Sequence, residues 1–141
     1  MKTLVTGSTG FLGSAILRKL LDDGREVKVL IRENSDTTNI DGVDVEIAYG
    51  DLRDSGSLQS ALSGCDVLYH TAAYYSLWDK DKRTIYDINV EGTRKVLQAA
   101  HLKNIEKVVY TSTVGCVGLN KDTTPSNEDT PFKLNTLSKL I

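Results

Sequence analysis

Ten residues constrain this chain more than any others: Leu4-Val5-Thr6-Gly7-Ser8-Thr9-Gly10-Phe11-Leu12-Gly13, where an apolar run stops at a glycine-punctuated turn and a helical pattern starts at once. They predict a strand, a tight loop and a helix N-terminus in immediate succession. The three glycines stand three apart, and each has a separate task. Gly7 lets the chain turn sharply off the strand, Gly10 lets the backbone approach a pyrophosphate, and Gly13 lets the helix lie close to the sheet. Backbone N–H groups along Ser8, Thr9, Phe11 and Leu12, with the positive end of the helix dipole, then face the anion. In a chain with eleven glycines such a spacing arises by chance as an ordinary tight turn. The preceding strand and the following amphipathic helix are the surroundings that make it a ligand loop.

The remaining constraints are broad. A chain of 141 residues is read as one domain, residues 1–141, long enough to bury a core. It is 40% hydrophobic and 26% charged, with a formal charge of −2. No basic patch points to nucleic acid, and no apolar run reaches the length of a membrane span. The first strand begins almost at Met1, leaving no space for a signal peptide, so a cytoplasmic location is expected. Cys65 and Cys116 have no metal-ligand spacing and no clustered histidine beside them. They read as buried free thiols, and no metal site is expected.

Along the chain, the pattern predicts strands over Thr3–Thr6, Val27–Ile31, Val45–Ala48, Val67–His70 and Val108–Thr111. Helices are predicted over Phe11–Asp23, with Leu12, Ala15, Ile16 and Leu20 inward, over Ser57–Ser63, with Leu58, Ala61 and Leu62 inward, and over Arg83–Lys103. Short apolar strands without polar alternation belong to a parallel sheet covered on both faces. Alternating strands and helices with right-handed crossovers imply an α/β, doubly wound parallel sheet in the order 3-2-1-4-5.

The strand ends carry the candidate chemistry. Arg32 follows the second strand, where an acid would accept the ribose 2′-hydroxyl of NAD; a cation there pairs instead with a 2′-phosphate, and Asn34 and Ser35 can add hydrogen bonds, so NADP is favoured over NAD. A solvated surface arginine is the competing reading, and Glu33 beside it weighs on that side. Asp51, after the third strand, can accept a hydrogen bond from an adenine amino group or cap the next helix, a task for which Asp54 and Ser55 are better placed. Small residues at Thr71-Ala72-Ala73 let the loop pass close to a cofactor. His70, ending a buried strand, reads as a hydrogen-bonded structural histidine rather than a base. Tyr74 to Trp78 is either a wall of the substrate site or a cover for the core. A hydroxyl in Ser112-Thr113, at the rim after the fifth strand, can donate a hydrogen bond to a carbonyl or hydroxyl undergoing hydride transfer.

Taken together, Thr6 to Gly13, Gly50-Asp51-Leu52, His70-Thr71-Ala72-Ala73, Asn89-Val90-Glu91-Gly92-Thr93 and Val109-Tyr110-Thr111-Ser112-Thr113 resemble the extended short-chain dehydrogenase/reductase (NAD-dependent epimerase/dehydratase) family. Ala73 to Trp78 before Asn89 resembles its dihydroflavonol-reductase-like branch. The resemblance runs to about Pro131 and covers the N-terminal part of a usual member. It implies a Rossmann fold, pyrophosphate at Gly7, Gly10 and Gly13, the 2′-phosphate at Arg32 and adenine at Asp51 and Leu52. It also implies cofactor ribose beside Thr71, Ala72 and Ala73, a catalytic Ser/Thr at Thr113, and a supporting asparagine at Asn89.

One element of that family's pattern has no counterpart in these 141 residues. The family's proton donor is a tyrosine four residues before a lysine, whereas the position four before Lys139 is Asn135, an amide that cannot titrate. The chain is therefore expected to be an NADP-binding domain, poorly active alone, of a reductase or epimerase. The alternatives are a non-enzymatic dinucleotide sensor, favoured by the absent Tyr-Lys pair, and an interaction module, disfavoured by the intact glycine loop. A small-molecule substrate of unassigned identity is expected, together with self-association through the fifth strand's edge or the C-terminal tail.

Overall fold

A computed structural model describes residues 1–76, 82–120 and 122–132. The chain divides into two compact units, Met1–Tyr110 and Thr111–Ile141. In the first, strands β1 (Lys2–Thr6), β2 (Glu26–Ile31), β3 (Glu46–Tyr49), β4 (Val67–His70) and β5 (Lys107–Tyr110) form one parallel sheet in the order β3-β2-β1-β4-β5. This is the doubly wound order expected from the alternation of strands and helices. The topological switch lies beside β1, so the glycine loop opens between β1 and β4, at the carboxyl ends where open α/β sheets bind ligands.

Helix α1 (Phe11–Asp22) covers one face. Its buried residues are Gly13 and Leu17, while Leu12 and Ala15 are exposed, a rotation from the expected inward set. Because Gly13 must press against the loop, the residue one turn later, Leu17, is the one carried into the core. Val5, Val27, Val29 and Ile31 pack around it. On the other face α2 (Ser55–Leu62) buries Leu58, Ala61 and Leu62, as their spacing predicts. Its N-cap is Asp54, whose carboxylate accepts from the N–H groups of Gly56 and Ser57 at 2.9 and 3.3 Å.

The long helix expected over Arg83–Lys103 is three pieces: α3 (Lys82–Tyr86), a π turn (Asp87–Gly92) and α4 (Thr93–Leu102). Gly92 lies against Leu52, where a Cβ would stand 3.0 Å from that residue's Cβ. A turn of ordinary pitch carries no sequence mark that distinguishes it from this wider one. Helix α4 buries Val96, Ala99 and Ala100 against α2 and the sheet.

The second unit holds a 3₁₀ turn at Val114–Cys116 and a loop fastened by Asn120, whose amide donates to the carbonyls of Thr124 and Pro125, both at 3.2 Å. Cys65 is buried and Cys116 exposed, both as free thiols. The second departs from expectation because the short turn carrying it leaves it open to solvent. No described helix is long and apolar enough to cross a membrane. Leu77, Trp78, Asn135 and Lys139 lie outside the described residues.

Candidate functional site

Backbone geometry separates the tasks of the three glycines. Gly7 has φ +74°, a left-handed conformation at the turn off β1, and a Cβ there would also meet the Ala72 backbone at 2.7 Å. A Cβ on Gly13 would drive into the Gly7 carbonyl. Both glycines are thus demanded by the chain itself. Gly10 is different, with φ −83° and ψ 169°, a conformation open to any residue. A Cβ on it would touch only the Gly7 oxygen, at 3.3 Å, a contact that a small shift relieves. Among the described residues, that oxygen is the one atom that bears on a side chain at Gly10.

Gly7, Thr9 and Gly10 form one wall of a cavity of about 230 Å³. Leu30, Ile31, Arg32 and Ser35 come from the end of β2, Gly50, Asp51 and Leu52 from the end of β3, and Thr71, Ala72, Ala73 and Tyr74 from the end of β4. Ile88 closes it from the π turn. A second hollow, of about 560 Å³, shares Arg32, Gly50 and Asp51 with the first and adds Glu33, Asn34, Tyr49, Arg53, Asp54 and Ser57. Sharing those residues, the two adjoin in one trough along the carboxyl ends of the strands, with the glycine loop on the side of β1 and β4.

Among the described residues, the Arg32 guanidinium makes no hydrogen bond or ion pair, and it lines both hollows. The Arg32 backbone N–H donates to Ser35 Oγ at 3.2 Å, and the Arg32 carbonyl accepts from the Ser35 N–H at 3.0 Å. Arg53 is fully committed instead. Its Nε and Nη2 donate to Asp51 Oδ1 and Oδ2 at 2.9 and 2.8 Å, and its backbone N–H donates to Oδ1 at 2.8 Å. That bidentate grip holds the Asp51 carboxyl down to about 2, so it is an anion across the working pH range. Oδ1 thus accepts two donors and Oδ2 one, so Oδ2 keeps a lone pair for a further donor.

Ser8 lies fully buried in the glycine loop, and its Oγ has no partner among the described residues. It lines neither of the two hollows. The part of the glycine loop that does line the cavity, Gly7, Thr9 and Gly10, fits the close approach of a dinucleotide's diphosphate.

His70 is wholly buried, Nδ1 facing Thr6 Oγ1 at 2.7 Å and Nε2 facing Thr93 Oγ1 at 3.0 Å, with Tyr110 stacked on its ring at a centroid distance of 5.3 Å. Burial pushes its pKa down to about 4. It is a neutral structural ring tying β1, β4 and α4, as expected. Thr71 Oγ1 donates to the Thr6 carbonyl at 2.6 Å, and the Ala72 N–H reaches Thr6 Oγ1 at 3.4 Å, which fixes the start of the β4 loop.

Of the residues singled out in the sequence, Gly7, Thr9, Gly10, Arg32, Asp51, Leu52, Thr71, Ala72 and Ala73 meet in the trough. Ser8 and Gly13 are buried beside it, and Phe11 and Leu12 start α1 with exposed side chains. Asn89 grips the Tyr74 backbone rather than lining the cavity. In the second unit, Thr113 Oγ1 accepts from the Gly115 N–H at 3.2 Å, which leaves the hydroxyl proton free to be donated. Arg53 and Tyr49 were not singled out, and Ile88 was expected only on the apolar side of the long helix, not at the site. Ile88 depends on the π turn, and Arg53 on an Asp-x-Arg pairing that a sequence equally assigns to a solvated loop.

The family model that matches residues 3–139 is the NAD dependent epimerase/dehydratase family. The chain belongs to that family. It is 49% identical over 120 residues to sterol demethylase protein B of Methylococcus capsulatus, covering 85% of this chain and 37% of that protein. It is 43% identical over 118 residues to a putative dihydroflavonol 4-reductase of Synechocystis, covering 84% of this chain and 34% of that one. Among solved structures, the UDP-glucose 4-epimerase of Thermus thermophilus in complex with NAD superposes with a TM-score of 0.82 at 29% identity, over 94% of this chain and 44% of that one. The chain thus spans well under half the length of these relatives. The family membership and the Rossmann-type sheet read from the sequence are borne out. The epimerase/dehydratase member has a dinucleotide-binding, oxidoreductase-like or epimerase-like domain of the NAD(P)-dependent kind.

Proposed function

We propose that residues 1–141 act as the NADP(H)-binding domain of a reductase or epimerase that moves a hydride at a carbonyl or hydroxyl carbon. The observation that carries this reading is the pairing of Gly10, where a Cβ would meet only the Gly7 oxygen among the described residues, with an Arg32 guanidinium that makes no hydrogen bond or ion pair among them and lines the same trough. The pyrophosphate takes the Gly7–Gly13 loop, the adenine takes Asp51 and Leu52, and the 2′-phosphate takes Arg32, with Ser35 and Asn34 beside it. The cofactor ribose passes Thr71, Ala72 and Ala73. When bound, the nicotinamide supplies or accepts the hydride; Thr113 holds the substrate oxygen through its free hydroxyl proton. These residues contain no tyrosine four before a lysine, so we expect little turnover from this stretch alone.

Calorimetric titration of the purified chain with NADPH and with NADH tests the reading. The expected result is NADPH binding tighter than NADH by about tenfold or more, with the difference lost in Arg32→Ala. A folded chain that binds neither overturns it. The non-enzymatic sensor reading draws on the same absent Tyr-Lys pair; an open reading frame beyond codon 141 encoding that pair would exclude it. A cytoplasmic setting and self-association through the β5 edge, where Val108 and Tyr110 are 38% and 49% exposed, belong to the same proposal. Sedimentation at rising concentration is expected to reveal a dimer, and a strictly monomeric profile counts against it.

A further inference from the structure

We propose that Arg53 is a positioning residue for cofactor choice: by holding Asp51, it leaves the Arg32 guanidinium to the phosphate that distinguishes NADPH from NADH. This deepens the function proposed above and rests on the trough being the dinucleotide site.

Two neighbouring strand ends set an acid and a base side by side. Ile31 stands opposite Tyr49 in the β2–β3 register, and the Gly50 N–H donates to the Ile31 carbonyl at 3.0 Å, so the two chains are still joined one residue past the sheet. Arg32 and Asp51 leave from this junction, and each lines both hollows. Opposite charges so placed attract each other. The Arg32 cation does pull on the Asp51 carboxyl, though less than Arg53 does.

Acids outnumber bases here. Among the described residues, the second hollow holds three carboxylates, Glu33, Asp51 and Asp54, against two guanidiniums, Arg32 and Arg53. A phosphate gains in such a hollow only where the acids are already answered. Asp54 is answered by the Gly56 and Ser57 N–H groups at the start of α2. Asp51 is answered by Arg53, which sets three donors on its two oxygens. Helices seat both ends of that clamp. Ser57 of α2 takes the Asp51 N–H on its Oγ at 3.2 Å, and Lys95 of α4 donates from Nζ to the Arg53 carbonyl at 2.6 Å.

With Asp51 held in this way, the planar fork of Arg32 makes no hydrogen bond or ion pair among the described residues and keeps its geometry for a phosphate. Without Arg53, Asp51 has Arg32 as its next partner, and the pair that forms spends the guanidinium. Asp51 would then titrate only part of the way back to its ordinary value. The adenine is common to both nucleotides, so the ratio of their affinities reports on Arg32 and not on any change in adenine binding.

The experiment titrates NADPH and NADH into wild type, Arg53→Ala, Asp51→Asn and the double variant Arg53→Ala/Asp51→Asn, well below each melting temperature. Arginine Nε–H signals are followed by NMR in cofactor-free wild type and Arg53→Ala. Arg53→Ala is expected to lower the preference for NADPH about tenfold when Asp51 is present, and by less than about twofold in the Asp51→Asn background. Equal losses in both backgrounds would mean that Arg53 meets the phosphate itself, and no loss in the first would leave it without a part in selection. Either result overturns the proposal. In cofactor-free Arg53→Ala the Arg32 Nε–H is expected to shift and to exchange with solvent about tenfold more slowly as it engages Asp51. An unchanged Arg32 signal overturns the capture. A wild type that prefers neither nucleotide sinks the NADP reading instead, and the Arg32 signal still decides whether Arg53 keeps Asp51 away from it.

Discussion

The carbonyl oxygen of Gly7 occupies the space where a side chain on Gly13 would begin, so the turn off β1 and the first turn of α1 are fitted together by the absence of one atom. The Gly13→Ala variant must push these two backbones apart. Overpacking of rigid backbone costs about 3 kcal/mol or more, and a fall in Tm above about 6 °C is expected by thermal denaturation. The Gly10→Ala variant, whose new Cβ meets only one relievable contact, should melt within about 2 °C of wild type and yet lose NADPH binding. A Gly10→Ala protein that binds normally would show that the loop does not approach a ligand there.

Arg53 and Asp51 make a second separable prediction. With Arg53→Ala the Asp51 carboxyl is expected to titrate back toward its ordinary value of 3.8 from about 2, followed by carboxyl carbon shifts in an NMR titration. The folded-state pKa is the depressed one, so the stabilisation is present above the unfolded value and is lost as pH falls from about 4 toward 2. Since both partners reach solvent, its size is about 1 kcal/mol after screening.

His70 gives the pH dependence at milder acidity. Its folded pKa of about 4 lies below the ordinary 6.5. Stability is therefore complete above about pH 6.5 and is lost as pH falls toward 4, by about 3 kcal/mol in all. Urea unfolding at stepped pH should reveal this slope, and His70→Asn should flatten it. An unchanged slope in the variant would assign it to other groups.

At the opposite edge of the sheet, cross-strand register brings charges together. Lys2 stands beside Glu26, and Lys28 beside Glu46. Glu46 takes Lys2 Nζ at 2.5 Å and Lys28 Nζ at 3.0 Å, which holds its carboxyl below the ordinary value. The Glu46→Gln variant should lower the urea midpoint at pH 7, and the difference should shrink as pH falls through the titration of the wild-type carboxylate. The difference should shrink in 1 M salt, where the Debye length is about 3 Å.

Much of this protein is legible along the chain because its signals are local. Gly7 and Gly13 encode their turn through backbone sterics, Asp54 caps α2 through a contact three residues long, and the apolar strands between helices point to the observed sheet order. Arg32, Asp51 and Thr71 could be named as site residues because strand ends in a doubly wound sheet converge on one crevice. Gly13, not the moment of the whole helix, decided which side of α1 faces inward, and that depended on a collision with a residue outside the helix.

The sequence by itself determined the set of elements, their order and the edge at which ligands are met, because periodicity, chirality and glycine conformation act locally. The tertiary structure alone decided that Arg53 is spent on Asp51 while the Arg32 guanidinium makes no hydrogen bond or ion pair among the described residues, that Ser8 is buried without a partner among them, and that Ile88 and Asn89 lie in a π turn. Those outcomes turn on distances between residues far apart in the chain or on one turn's pitch. Neither composition nor spacing records them.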